Sequence, residues 1–182
     1  MIAPLSALGE TKGPMSRART LAQVGKRRGH QVAFCAALDF NFQPVEGVPN
    51  YLAPIPSPFG TPLAVGKRVF RFAQLTGLQA RRVVHSFEEV LYILGAIHPR
   101  FFHRDSEAIR AAIRQFLPDL VFNELRPAAV VAARLEQVPA VTGLSLPAHW
   151  TYAKSPKYGQ AVRSLLAENN LPPVESALEG FD

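Results

Sequence analysis

Twice along this chain a short apolar run is followed by a loop, a helix signal opened by proline, and a second apolar run. That order is the βαβ unit, and two such units direct a chain towards a parallel sheet with right-handed crossovers and helices on its faces. In the first unit, Ile2 to Leu5 reads as a buried strand and Ser6 to Gly13 as a loop. Pro14 stands in the first turn of a helix, where a missing N–H costs nothing. Ala18, Leu21, Ala22 and Gly25 recur at three- and four-residue spacing, so one helix face is apolar. Lys26, Arg27 and Arg28 complement the dipole of the last turn, and Gly29 ends it. Gln31 to Ala37 is the second buried strand. In the second unit, Leu120 to Phe122 is the strand, closed by Asn123 and Glu124. Pro127 opens a helix over Ala128 to Gln137, and Pro139 to Leu144 is the next strand.

The middle is less regular. Six prolines fall between Asn41 and Pro62, around a short third strand at Tyr51 to Ala53. Arg68 to Ile97 reads as helix, broken near Gly77 and His85. Arg104 to Phe116 is an amphipathic helix with Ile109, Ala112, Ile113 and Phe116 on one side. Residues 41–117 therefore form an irregular, largely helical insert within a single domain spanning 1–182. Tyr158 to Asn169 adds a last helix, and Leu171 to Asp182 carries no strong pattern. The expected fold class is α/β: a Rossmann-like, doubly wound parallel sheet, whose ligands bind outside the carboxyl ends of the strands.

Composition narrows the function classes. Apolar residues make up 48% of the 182 and charged residues 19%, which excludes a disordered polyelectrolyte. A single cysteine, Cys35, excludes a disulfide-stapled scaffold. No apolar stretch reaches the roughly 18 residues of a membrane span. The start of the chain lacks the basic region of a signal peptide, so a cytoplasmic location is expected. The formal charge is +6, and 15 of the 20 cations are arginine. They are scattered in pairs such as Arg27-Arg28 and Arg81-Arg82, with no helix-turn-helix, zinc-finger or RNA-binding signature, so no nucleic-acid partner is expected. His30, His85, His98, His103 and His149 show no metal-ligand spacing, and no metal is expected.

Two segments, APLSALGETKGPMSRARTLAQVGKRRGHQVAF and PDLVFNELRPAAVVAARLEQVPAVTGLSLP, carry a resemblance. A glycine loop after the first strand leads through a helix to Arg28-Gly29-His30-Gln31-Val32, and Val138-Pro139-Ala140-Val141 enters a later strand. In this order and spacing the chain resembles the N-terminal half of GT-B glycosyltransferases, in particular those that use UDP- or TDP-sugars on small molecules. The resemblance implies an acceptor-binding half that would meet a nucleotide-sugar domain across a cleft. The 182 residues leave no space for that second domain, so the resemblance further implies a fragment, a split subunit or a degenerate enzyme. The implied partners are a small-molecule acceptor and a nucleotide-sugar donor, the latter through a missing C-terminal domain or partner subunit. No cofactor is implied.

Inverting sugar transfer needs a base that deprotonates the attacking hydroxyl. The resembling family carries a His or Asp after the loop glycine; here Glu10 follows Gly9. Glu10 is either that base or a solvated anion near a helix N-terminus. Glu124 occupies the place of an orienting aspartate, and reads either as a second carboxylate at the sheet edge or as an anion near the start of the next helix. Gly9 and Thr11 of the same loop, with His149 and Trp150 after the last strand, are the candidate acceptor-binding residues. The segment Arg68 to Val84 mixes apolar and arginine residues. It reads as a helix packing one face on the core with arginines in solvent, as a contact with an anionic membrane surface or, as the resemblance implies, as an insert that shapes the acceptor site. Two other classes stay open: a non-catalytic Rossmann-like module pairing with a donor-binding subunit, and a dinucleotide-binding oxidoreductase. The latter lacks GxGxxG, and Ala36 and Ala37 stand where an acidic residue would close the second strand, with Asp39 just beyond. Lys12 could meet a phosphate, but the loop lacks the P-loop ending.

Overall fold

A computed structural model describes residues 1–8, 12–38, 42–77, 84–143 and 156–179. Strands β1 (Ile2–Pro4), β2 (Phe34–Ala37), β3 (Asn50–Ala53), β4 (Val121–Glu124) and β5 (Ala140–Gly143) form one sheet in the order β3-β2-β1-β4-β5. Every pairing is parallel. Helix α1 (Lys12–Arg27) links β1 to β2; α2 (Leu63–Thr76), α3 (Phe87–Ile93) and α4 (Pro99–Phe116) lie between β3 and β4. Helix α5 (Pro127–Leu135) links β4 to β5, and α6 (Gln160–Glu168) follows. This is the Rossmann-like, doubly wound α/β fold that the two βαβ signals dictate.

From β1 the chain winds outward to β2 and β3, then returns to β4 on the other side of β1 and continues to β5. Right-handed crossovers in opposite directions put their helices on opposite faces. Ile2, Phe34 and Ala36 accordingly meet Met15, Ala18 and Ala22 of α1 on one face. Ala3, Cys35 and Val121 face Ile109 and Ile113 of α4, Ala129 of α5 and Leu166 of α6 on the other. A sheet covered on both sides reads as continuous apolar sequence, which is why FCAA in β2 is wholly buried.

Local differences from the sequence reading have physical causes. The second strand begins at Phe34, not Gln31: the Ala33 carbonyl already accepts the Ile2 amide at 2.8 Å, but in-register pairing with β1 starts at Phe34 opposite Ile2. Leu21, expected on the apolar face of α1, is 39% exposed at the flank of the helix. Residues 41–117 supply the edge strand β3 and the core helix α4. In its described part the 68–84 segment packs only lightly, through half-buried Phe70 and Ala73, with Arg68 and Arg71 exposed. In α2 only Gly66 is buried, and Val69, Phe72 and Leu75 are exposed. Position 66 lies so close to Ser57 Oγ that a side chain there would collide, so the helix touches the body through its narrowest residue.

One buried ion pair fastens the carboxyl edge. Arg126, after β4, donates through Nε and Nη2 to Asp105 of α4, the Nε bond being 3.0 Å. Its Nη1 reaches the carbonyls of Cys35 at 3.1 Å and Pro4 at 3.4 Å. Burial disfavours the guanidinium charge, but the adjacent Asp105 carboxylate outweighs it and holds the Arg126 pKa above its ordinary value. Asp105 is four residues before Ile109, on the apolar face of α4, so its ion pair lies inside the core. A second buried carboxylate, Glu88 of α3, accepts the amide of Ala177 at 2.6 Å through Oε1 and draws the segment after α6 inward.

Replacing one member of a buried pair strands the other charge. Arg126→Met is expected to cost about 3–5 kcal/mol of unfolding free energy, and Arg126→Met with Asp105→Leu to restore much of it. Denaturant melts of the three proteins check this. Burial also pushes the Cys35 thiol from about 9 up to about 11. The neutral thiol is therefore the form the fold favours, a contribution present below pH 9 and lost as pH rises through 11. Iodoacetamide at neutral pH should leave Cys35 unmodified in the folded chain and modify it once denaturant exposes it, as mass spectrometry would read.

Candidate functional site

In a doubly wound sheet the ligand crevice opens where neighbouring strands send their connections to opposite faces. Here that point lies between β1, which feeds α1, and β4, which feeds α5. Their ends are held together by the amide of Leu5, which donates to the Glu124 carbonyl at 2.8 Å. The buried hydroxyl of Ser6 accepts the Ala37 amide at 3.2 Å, joining the ends of β1 and β2.

Side chains alternate along β4, so Phe122 and Glu124 face α1 while Val121 and Asn123 face α4 and α5. Glu124 is only 6% exposed. Its Oε1 accepts from Arg17 Nε at 2.8 Å and from Arg17 Nη2 at 2.5 Å. Arg17 comes from the second turn of α1 and stays mostly exposed, so the pair has a buried carboxylate end and a solvent-facing guanidinium end. The N-terminal half of α1 adds its positive dipole to the same side.

The second carboxylate oxygen fits against β5. Gly143 pairs with Glu124 in register, and a Cβ at position 143 would stand 2.5 Å from Glu124 Oε2 and 3.1 Å from the Phe122 ring. Glycine is thus needed for space at this position. On the opposite face Asn123 Oδ1 accepts the Arg126 amide at 2.7 Å, while Nδ2 contacts Thr142 Oγ1 at 3.4 Å. Leu125 between them adopts φ +59, a left-handed conformation uncommon for a branched residue. The Asn123 hydrogen bond and the anchored Arg126 hold that turn.

The described carboxylate of the expected set, Glu124, lies at the sheet edge as the last residue of β4. Its side chain turns towards Arg17, so the alternative of an anion serving the start of α5 does not describe its contacts. Glu10, Gly9, Thr11, His149 and Trp150 lie outside the described residues, as does Asp39. Lys12 is exposed at the start of α1. Among the described residues no three His, Cys, Asp or Glu side chains converge as a metal site. Sequence reasoning missed Arg17, Gly143 and the Arg126–Asp105 pair. Asp105 alone left a signal, being a carboxylate inside the apolar spacing of its helix.

Chemically, the edge presents an ion-paired carboxylate whose Oε1 is occupied by Arg17. Such a group accepts charge-assisted hydrogen bonds and orients the neighbour that donates them. No family model matches the chain, and no curated protein matches it.

Gly143→Val should push the Glu124 carboxylate off its seat and destabilise the fold by about 1–3 kcal/mol. In the Glu124→Ala background the same substitution should cost measurably less. A double-mutant cycle of melts that is additive would show that the two positions do not share this space.

Proposed function

We propose that the chain is the acceptor-binding half of a GT-B glycosyltransferase, which moves a sugar from a nucleotide-sugar to a hydroxyl of a small molecule. The observation that carries this reading is the Glu124–Arg17 pair at the switch point of a β3-β2-β1-β4-β5 sheet. It puts a buried, oriented carboxylate at the end of the strand beside β1, where the glycine loop begins. The sequence order around Arg28-Gly29-His30 and Val138-Pro139-Ala140-Val141 supports the same assignment.

In this reading Glu10 is the base that takes the acceptor proton as the hydroxyl oxygen attacks the anomeric carbon and the nucleotide diphosphate leaves. Glu124 is a positioning residue: it holds Arg17 and, through it, the electrostatics of the loop mouth. Gly9, Thr11, His149 and Trp150 line the acceptor pocket. The donor is held by a second domain or subunit, without a cofactor or metal, and the reaction belongs to the cytoplasm. The loop after β1 weighs against the dinucleotide alternative, since its sequence is not GxGxxG.

Calorimetry of the purified chain tests this with a panel of hydroxylated small molecules, UDP-glucose and NADH. Saturable binding of a hydroxylated acceptor, about tenfold weaker in Glu124→Ala, is expected, with no binding of NADH. Tight NADH binding, or a panel without a single binder, would overturn the reading. Where a donor-binding half supplied in trans gives turnover, Glu10→Gln should lower kcat by about a hundredfold or more and leave the melt unchanged.

A further inference from the structure

Helix α2 is the least integrated element described, and it carries an apolar stripe and a cationic flank that face solvent. Val65, Val69 and Phe72 follow one another at four- and three-residue spacing, and Leu75 extends them by a turn. Val65 is 46%, Val69 58%, Phe72 63% and Leu75 77% exposed. Beside them, Lys67 and Arg71 form a cationic flank, and Arg68 stands between Leu75 and Phe72 around the helix, all three exposed. The third side, Gly66 with half-buried Phe70 and Ala73, is the one that meets the body near Ser57 and Pro58.

The charge around this helix is one-sided. From Gly47 to Phe87 the sequence contains no Asp or Glu and five Lys or Arg. A cleft of about 530 Å³ beside the start of α2 brings Arg100 and Arg104 of α4 close to Thr61 and Leu63. An isologous dimer pairing two antiparallel α2 helices through this face would bring the two cationic flanks side by side, which like-charge repulsion disfavours. Apolar side chains beside a cationic flank on a helix whose third side is anchored are the requirements for lying in the plane of an anionic bilayer. The apolar stripe enters the acyl boundary, and the cations extend along their alkyl stems to the lipid phosphates.

We propose that α2 docks this protein on an anionic lipid surface, with Val65, Val69, Phe72 and Leu75 inserted and Lys67, Arg68 and Arg71 on the headgroups. Because α2 shares no residue with the Glu124 site, membrane docking and sugar transfer stand or fall separately.

Co-sedimentation of the full chain with vesicles tests this, comparing pure phosphatidylcholine with phosphatidylcholine containing phosphatidylglycerol. The anionic vesicles should bind at least about tenfold more tightly, and raised salt should remove the difference. Phe72→Ser with Leu75→Ser should abolish binding while the circular dichroism spectrum and melt stay nearly unchanged, since both side chains are mostly exposed. Lys67→Gln and Arg71→Gln should each weaken binding about fivefold. Three results would overturn the proposal. One is a folded chain that ignores the anionic vesicles. Another is vesicle binding indifferent to Phe72→Ser with Leu75→Ser. The third is a dimer in light scattering that this pair of substitutions dissolves and vesicles leave intact.

Discussion

The pair between Arg126 and Asp105 is the contact on which the carboxyl edge of this sheet depends. A parallel sheet ends in carbonyls with no further strand residue to pair with, and at a buried edge each must be satisfied. Arg126 satisfies one of them, at Pro4, and also the Cys35 carbonyl within β2, which faces a strand whose Pro4 has no N–H to offer, while Asp105 neutralises it from α4. One guanidinium thus ties together β1, β2, the turn after β4 and the longest helix. Such a pair contributes little net stability over apolar packing, since desolvation consumes most of the Coulomb gain. Its consequence here is geometric: the three central strands end at fixed relative heights.

That geometry makes the neighbouring residues usable. Residues 123 to 126 send side chains to two faces of the sheet within one turn. Asn123 and Arg126 secure the α4 side, which leaves Glu124 free to serve the α1 side. The left-handed Leu125 is the pivot, held because both residues flanking the turn are hydrogen-bonded. Gly143 completes the seat by leaving out a side chain that would displace the carboxylate. A small set of residues far apart in sequence (17, 105, 124, 126 and 143) therefore acts as a unit around the crevice.

Helix α2 shows the opposite regime. Its apolar residues keep helical spacing, and spacing alone suggested burial against the core. The contact is made through Gly66, Phe70 and Ala73, and the stripe of Val65, Val69, Phe72 and Leu75 faces away. The same pattern serves a core-facing helix and an interfacial one, because periodicity reports which residues share a face and not what that face meets. The absence of acidic residues from Gly47 to Phe87 was the sequence clue that this face differs.

How much could be read from the sequence follows from where each constraint acts. Strand–loop–helix–strand order is local chemistry: proline at a helix start, glycine at its end, cations on its last turn, continuous apolar runs for two-sided strands. Those local rules were enough for the parallel sheet and the doubly wound class, whereas Glu124 became a candidate only through the resemblance. They overran β2 by three residues and placed Leu21 too deep, since strand ends and helix flanks depend on what lies across the sheet. That Arg17 is Glu124's partner, that Asp105 lies buried against Arg126, that Gly143 is required for space and that α2 leaves its apolar stripe in solvent were decided only by the tertiary structure. Each of these depends on distances between residues tens of positions apart, and a chain's local propensities carry no record of such distances until the sheet has brought them together.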